Sequence, residues 1–341
     1  MSELPSSLKR RALAKAQPLN VQLELTYRCN WRCVFCYNPR HNDLRGMSTS
    51  EWIAVLDDLR ALGTLTVTLT GGEPLTRADF FDIASAVRAR AFALRIFTNG
   101  ALLDADAVAR IAELQPLAVE MSLHGATAGV HEQTTAIAGS FARMLDGARQ
   151  LIAAGVHVVF KTPLTNLNEH QMDEMIALAE SLGVQLQLDP HITARDDGDR
   201  SPMAYGASRE TIRRALQLGI AQGSIAPMER ERGGSNCGLG RVTMAVDPEG
   251  NVYPCLQWRH RPLGNVRATP LRELWHASPA RAEAARIAQE VNDRFVERGG
   301  AIAEFPFCPA IAFQESGDPF TPDAAFRMRA ELAAELRGQR P

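Results

Sequence analysis

The sequence lacks a long apolar segment of any kind. No run within its 341 residues approaches the length needed to cross a bilayer, and the first 20 residues contain no continuous hydrophobic stretch of the sort found in a secretory signal. We therefore expect a cytoplasmic protein that has no membrane partner.

The sequence also lacks an excess of charge of one sign. Lys and Arg number 37 and Asp and Glu number 39, which gives a formal net charge of -2 and a pI near 6.5. This balance argues against a general nucleic-acid surface, so no nucleic-acid partner is expected. The short basic stretch Lys9-Arg10-Arg11 is interpreted as the solvated face of an N-terminal helix.

Cysteine is scarce, and its distribution is informative. The six cysteines fall into two groups of three, and neither group resembles a disulfide framework. Reduced thiols in such groups indicate metal binding. The groups are Cys29, Cys33 and Cys36, followed much later by Cys237, Cys255 and Cys308.

Apolar, β-branched runs alternate with segments of helical periodicity over most of the chain. This pattern predicts parallel strands covered by helices, an α/β fold with a partial (β/α)6 barrel. The predicted divisions are an N-terminal extension (1–19), the barrel (20–222) and a small C-terminal domain of a β-hairpin plus helices (223–341). The predicted strands are 21–26, 65–70, 93–97, 117–123, 156–162 and 184–189, and helices are predicted at 50–62, 104–114, 141–154 and 169–182.

The first three cysteines form a Cys-x3-Cys-x2-Cys run directly after the first predicted strand. Three thiolates within eight residues cannot bridge one another without strain, but they can converge on three irons of one cubic cluster and leave the fourth iron open. Gly71-Gly72-Glu73-Pro74 follows the second predicted strand. Singly, the cysteines could bind zinc with His41 as a fourth ligand, and the second motif could be only a turn. Together, the two motifs resemble the radical S-adenosylmethionine (SAM) superfamily.

That resemblance implies a SAM-binding [4Fe–4S] cluster, reductive cleavage of SAM to a 5'-deoxyadenosyl radical and hydrogen abstraction from a substrate. It also implies an electron donor of the flavodoxin or ferredoxin type. The catalytic and metal-binding residues would be Cys29, Cys33 and Cys36. The backbone of Phe35 would contact the adenine of SAM, and the glycines would let the backbone approach the ligand. The SAM-binding residues implied in this way are Phe35, Gly71, Gly72, Glu73, Pro74, Asn99, Ser122, Lys161 and Thr162. Any of the last three could instead cap a helix or satisfy a strand end.

The second cysteine group surrounds a predicted hairpin with strands at 242–246 and 251–253. Gly250 would supply a positive φ in the turn, and the hairpin would bring Cys237 and Cys255 together. The region resembles the auxiliary-cluster extension of radical SAM enzymes, known as SPASM in its long form and twitch in its short form. The outer-cluster cysteines of the long form are missing, so the resemblance implies one auxiliary [4Fe–4S] cluster held by Cys237, Cys255 and Cys308. Buried free thiols or a zinc site are the alternatives.

The expected substrate is a ribosomally made peptide, as for maturases similar to the enzyme that crosslinks the pyrroloquinoline quinone precursor. This expectation rests mainly on the loop after the sixth predicted strand and on the segment 308–319, which resembles the end of the long form. Strand one begins by about residue 20, so a leader peptide would need a separate recognition protein. The polar segment 189–205 is interpreted either as a solvated loop or as a lid. Candidate substrate contacts are His124, Arg195 and Tyr205. The alternatives are a radical dehydrogenase or rearrangement enzyme acting on a small molecule and, in a third class, an iron–sulfur carrier or redox sensor.

Overall fold

A computed structural model describes residues 6–43 and 46–338. The strands of these residues are β1 (Asn20–Glu24), β2 (Thr66–Thr70), β3 (Ala93–Thr98), β4 (Ala118–Ser122), β5 (Val158–Pro163), β6 (Gln185–Asp189), β7 (Thr243–Val246), β8 (Asn251–Tyr253) and β9 (Gly264–Asn265). The helices are α1 (Ser6–Lys15), α2 (Thr49–Ala61), α3 (Phe80–Ala89), α4 (Ala105–Leu114), α5 (Ala128–Thr135), α6 (Ser140–Ala153), α7 (Met172–Ser181), α8 (Arg209–Ala221), α9 (Leu271–Ala277), α10 (Pro279–Arg298), α11 (Gly300–Ala303), α12 (Pro309–Ser316) and α13 (Ala324–Gly338).

One sheet contains all nine strands in the order β6-β5-β4-β3-β2-β1-β7-β8-β9. The strands from β1 to β6 pair in parallel with their sequence neighbours, and α-helices connect them. The sheet is not closed, since β6 and β9 are its two edges. The prediction of an α/β fold with a partial six-stranded barrel is therefore confirmed, and its strand bounds agree to within about two residues.

Helix boundaries follow from local signals in the sequence. Ser48 and Glu51 form a capping box at the start of α2. Gly63, Gly155 and Gly183 each follow a helix and have a positive φ, a conformation that glycine tolerates. Among the described residues, no helix is both long enough and apolar enough to span a bilayer.

The strands place apolar side chains on one face and polar side chains on the other. Leu94 and Ile96 of β3 belong to the core beneath the helices, whereas Arg95 between them faces the inside of the barrel. Glu120 and Lys161 occupy the corresponding inner positions on β4 and β5. The sequence pattern indicated apolar strands, but the structure shows charged side chains on the inner face of β3, β4 and β5.

The C-terminal hairpin extends the barrel sheet rather than standing apart from it. β7 pairs in parallel with β1, with Val21 opposite Met244, and β8 returns antiparallel. Gly250 has a φ of +88° in the turn, as predicted. The hydroxyl of Tyr27, just after β1, donates to Asp247 in that turn at 3.2 Å. This pairing was not predicted, and it sets the hairpin beside the loop that carries the first cysteines.

A second core holds the C-terminal helices together. It contains apolar side chains of α8, α10, α12 and α13, among them Leu216, Phe295 and Phe326. The Arg and Glu side chains of α10 instead form exposed pairs, such as Arg286 with Glu290 at 2.8 Å, as expected for a solvated face.

Candidate active site

The first three cysteines lie in a loop between β1 and α2 that a neighbouring helix supports. The backbone NH groups of Arg32 and Val34 donate to the carbonyls of Thr135 and Thr134, at 2.9 and 3.0 Å, at the end of α5. The Cys36 NH donates to the carbonyl of Cys33 at 3.0 Å, which makes a tight turn between the two thiols. Because α5 follows β4, the position of the cysteine loop depends on two distant parts of the barrel.

Aromatic side chains pack directly beneath Cys33. The Nε2 atom of His124 lies 4.0 Å from the Cys33 sulfur, and the His124 ring centroid lies 5.1 Å from that of Phe35. His124 is only 3% exposed, and burial lowers its pKa well below the usual range, with His131 adding a smaller effect. We expected His124 to contact a substrate, but it is a buried neutral ring behind the cysteines. His131 and Trp31 complete this packing and were not predicted.

The two glycines of Gly71-Gly72-Glu73-Pro74 allow the backbone to approach the end of β1. A Cβ at Gly71 would lie 2.3 Å from the carbonyl oxygen of Thr26, and one at Gly72 would lie 2.3 Å from that of Arg28. Gly71 also has a φ of +138°. The close approach that the structure shows is to residues 26–28, just before Cys29, and the approach of these glycines to a ligand stays a prediction. The motif therefore supports the cysteine loop.

Glu73 is fully buried behind that loop. Its carboxylate accepts hydrogen bonds from the Leu75 NH at 3.0 Å, the Thr98 hydroxyl at 2.8 Å and the Asn99 NH at 2.7 Å. Burial raises its pKa to about 7, although the three hydrogen bonds oppose that effect. Since a carboxylate offers about four acceptor positions, one position remains beside these three hydrogen bonds, and the contact of Glu73 with the SAM ammonium group stays a prediction.

Asn99 joins the end of β3 to the cysteine loop. Its Nδ2 donates to the Asn30 side chain at 2.7 Å and lies 3.9 Å from the Cys29 sulfur. Asn99 therefore lies next to the first cysteines, and its contact with SAM stays a prediction.

The structure brings two of the three predicted contacts on β4 and β5 together. Ser122 and Lys161 are partners in the sheet register, at inner-face positions of adjacent strands. Lys161 forms an ion pair with buried Glu120 and lies 4.0 Å from the centre of the Phe97 ring. Thr162 is buried, and its hydroxyl donates to the Leu123 carbonyl at 2.5 Å. Thr162 therefore satisfies a strand end, which was the alternative interpretation.

The second group of cysteines also converges. Cys237 precedes β7, Cys255 follows β8, and the Gly240 NH and the Thr243 hydroxyl both donate to the carbonyl of Pro254, the latter at 2.9 Å. Cys308 comes directly before α12. Residue Cys237 is exposed, yet the pKa of its thiol is raised, first by desolvation and to a smaller extent by the neighbouring Cys255 and Cys308 thiols. The three thiols are therefore close enough to influence one another.

Each group supplies three thiols, the ligand type that holds iron–sulfur clusters and that zinc also accepts. Within residues 6–43 and 46–338, no three His, Cys, Asp or Glu side chains are grouped closely enough to hold one metal ion. Burial raises the pKa of Cys29 to about 11, so metal binding there must release protons.

Three polar side chains that the sequence did not reveal connect the two cysteine groups. Glu24, at the end of β1, accepts a hydrogen bond from the Tyr37 hydroxyl at 3.0 Å and pairs with Arg259. Tyr37 follows Cys36, and Arg259 lies shortly after Cys255. Only the position of Glu24 among the inner-face residues of β1 could have suggested a role, because Arg259 lies in no recognisable motif.

Known families match both parts of this site. Residues 23–180 match the Radical SAM superfamily, and residues 237–298 match SPASM, an iron–sulfur cluster-binding domain. The mycofactocin maturase MftC of Mycobacterium ulcerans (strain Agy99) is 30% identical over 258 residues, which cover 70% of this chain and 68% of that protein. The chain belongs to the radical SAM superfamily. The protein is therefore a radical SAM enzyme with a SPASM domain, and the alternative of an iron–sulfur carrier or redox sensor does not apply.

Other relatives and solved structures agree with this assignment. The PqqA peptide cyclase of Gluconobacter oxydans (strain 621H) is 28% identical over 277 residues, 77% of either chain. The structure of anSMEcpe with bound AdoMet and Cp18Cys peptide superimposes with a TM-score of 0.68 at 16% identity, covering 94% of this chain and 97% of that one. That of Streptococcus suis SuiB bound to precursor peptide SuiA gives 0.66 at 15% identity, covering 81% and 70%. These structures share the fold of this radical SAM enzyme. The matched families agree with the predicted cofactors, SAM and iron–sulfur clusters.

Proposed function

We propose that this radical SAM enzyme modifies a ribosomally made peptide by forming a crosslink or another side-chain or backbone bond. The observation that carries the proposal is the similarity, over about 70% or more of the chain, to relatives named mycofactocin maturase and PqqA peptide cyclase. The second of these relatives is named for its action on a peptide. The proposal transfers that substrate class to this chain.

The arrangement of the site supports this proposal. When bound, a cluster with SAM supplies the electron that cleaves the carbon–sulfur bond of SAM. The chain's own contribution is to hold Cys29, Cys33 and Cys36 rigidly between β1, Gly72 and the end of α5. The inner face around Lys161 is charged, which suits a polar substrate.

The polar segment after β6 supports a substrate-facing role as well. The Asp196 NH donates to the Tyr37 carbonyl at 2.9 Å, and the Gln314 side chain on α12 donates to the carbonyls of Ala194 and Arg195 at 3.1 and 3.0 Å. The segment is thus anchored between the two cysteine groups, which favours the lid interpretation over a solvated loop. Burial raises the pKa of Cys36, and the positive charge of nearby Arg195 partly offsets that rise. Arg195 therefore lies near the first cysteines and stays a candidate substrate contact.

The test is a reaction of the reconstituted enzyme with SAM, a reductant and short peptides encoded beside its gene. We expect 5'-deoxyadenosine together with a mass change in one peptide, such as the loss of two hydrogen atoms for a crosslink. The Cys255→Ala variant should still form 5'-deoxyadenosine but no modified peptide. Full product from that variant would mean that the auxiliary site is only structural, and the absence of product from every peptide would contradict the peptide proposal.

A small-molecule substrate is the second candidate, and one observation favours it. The pre-heme d1 synthase of Dinoroseobacter shibae (strain DSM 16493 / NCIMB 14021 / DFL 12) is 27% identical over 365 aligned positions, 93% of this chain and 88% of that protein. This similarity spans more of the chain than that to the peptide relatives. Accumulation of an unmodified small molecule in a strain that lacks the enzyme, without any change in peptides, would decide for this candidate.

The partners follow from the proposed reaction. SAM cleavage consumes electrons, for which we propose a donor of the flavodoxin or ferredoxin type. We further propose a separate protein that recognises a leader peptide. The cytoplasmic location stays a prediction from the sequence.

A further inference from the structure

A buried ion pair and a hydrogen bond link the two cysteine-bearing segments through Glu24. One oxygen of its carboxylate accepts from the Tyr37 hydroxyl at 3.0 Å, and the other accepts from the Arg259 guanidinium. Tyr37 follows Cys36 directly, and Arg259 lies four residues after Cys255. One carboxylate therefore contacts the segment of each cysteine group.

This link is shielded from solvent, unlike other ion pairs between the same parts of the chain. The side chains of Glu24 and Arg259 are 1% and 14% exposed. The Arg272–Asp58 pair also joins the C-terminal region to the barrel, but its side chains are 59% and 21% exposed. An exposed pair contributes little, whereas a buried pair imposes a defined geometry because breaking it leaves a charge without solvent.

A second connection runs beside the first. The Asp196 NH bonds to the carbonyl of Tyr37, and the Gln314 side chain on α12 bonds to the carbonyl of Arg195. Since α12 begins directly after Cys308, this path also joins the two cysteine groups. Tyr37 is the residue that both paths share.

We propose that the Arg259–Glu24–Tyr37 connection fixes the spacing and orientation of the two cysteine groups, so that both serve one substrate. These three residues are positioning residues and not catalytic ones. The inference rests on the proposed function, because only a reaction that uses both groups requires a fixed distance between them. The connection would do this by tying the end of β1 to the segment after β8.

The test measures the magnetic interaction between the two reduced clusters by electron paramagnetic resonance, with no substrate present. Dipolar coupling falls steeply with distance, so loosening the connection should reduce it. Arg259→Met removes the cation but leaves the buried Glu24 anion, whereas the double variant Glu24→Gln, Arg259→Met removes both charges. Arg259→Lys is the conservative variant, and Arg272→Met removes a comparable but exposed ion pair as the matched control.

We expect the single and double Met variants to lose at least about half of the wild-type coupling at unchanged iron content, with partial recovery in Arg259→Lys and no change in Arg272→Met. Wild-type coupling in a fully loaded double variant would overturn the proposal, and so would the absence of coupling in the wild type. If both Met variants lose iron, the same coupling is measured in Tyr37→Phe, which removes only the hydroxyl that donates to Glu24. Its coupling should fall, and an unchanged value would refute the inference.

A second measurement separates this inference from the proposed function. With an accepted substrate, the ratio of 5'-deoxyadenosine to product should rise about tenfold in the double variant and stay within about twofold in Arg272→Met. The magnetic measurement needs no substrate. Its outcome therefore stands even if the peptide proposal fails, whereas a normal product ratio alongside reduced coupling would show that the spacing does not govern the reaction.

Discussion

Gly72 shows how a single missing side chain positions the site. A Cβ there would lie 2.3 Å from one backbone oxygen, of Arg28, and 2.5 Å from another, of Tyr27, and neither can rotate away. We expect Gly72→Ala to lower the free energy of unfolding by about 1–3 kcal/mol or more and to reduce the iron bound at the first cysteines. Denaturant unfolding and iron analysis measure both effects.

Gly129→Ala is the control for this prediction. Gly129 lies in α5, and a Cβ there would meet nothing within 4 Å. Alanine should leave stability unchanged or raise it by up to about 1 kcal/mol, because it favours the helix. Equal effects of the two substitutions would contradict the clash at Gly72.

Glu73 gives stability a predictable pH dependence. Burial raises the pKa of Glu73 to about 7 from the ordinary 4.5. Between pH 4.5 and 7, Glu73 is therefore protonated in the folded protein but ionised in the unfolded chain. The contribution of this proton to the free energy of unfolding is fully present below pH 4.5. It is lost as the pH rises to 7, at about 1.4 kcal/mol per pH unit. Denaturation without cluster reconstitution should show wild type losing stability relative to Glu73→Gln over this window. A constant difference would mean that Glu73 stays ionised.

At the scale of secondary structure, a charge cluster ties three barrel strands together. Glu120 on β4 has a fully buried side chain and pairs with Arg95 on β3 and Lys161 on β5, whose side chains are 35% and 37% exposed. Glu120→Gln should lower the free energy of unfolding by about 1–3 kcal/mol, since both pairs are lost but the cations can regain water. Denaturant unfolding measures the change.

The exposed pair between Arg149 and Asp146 on α6 provides the comparison. Asp146→Asn should change stability by no more than about 0.5 kcal/mol, because a solvated pair contributes little. A similar loss for both variants would show that the inner-face charges act no differently from surface charges.

At the scale of the whole molecule, the two cysteine groups predict the iron content. The reconstituted protein should bind about eight irons, as two four-iron clusters. Replacing Cys29, Cys33 and Cys36 by alanine should leave about half of that iron and abolish SAM cleavage. Metal analysis and product assays measure these outcomes. Zinc at the second group, or only four irons in the wild type, would contradict the two-cluster prediction.

The sequence by itself determined those features that depend on neighbours along the chain. The alternation of apolar strands and periodic helices specified the parallel barrel, because each pattern reflects local geometry and burial. The spacing of Cys29, Cys33 and Cys36 indicated a cluster, and Gly250 marked a turn, for the same reason. These are short-range constraints, and they could be predicted without a structure.

Only the tertiary structure decided how distant segments meet. Glu24 and Arg259 lie 235 residues apart, and neither carries a periodic signal that names its partner. The pairing of β7 with β1 places them together, because it makes the hairpin part of the barrel sheet. The same holds for Gly72. Only glycine fits at this position because the backbone that follows β1 packs directly against it, and that contact is made by residues distant in the sequence. Long-range packing selects these contacts, and no short stretch of sequence records it.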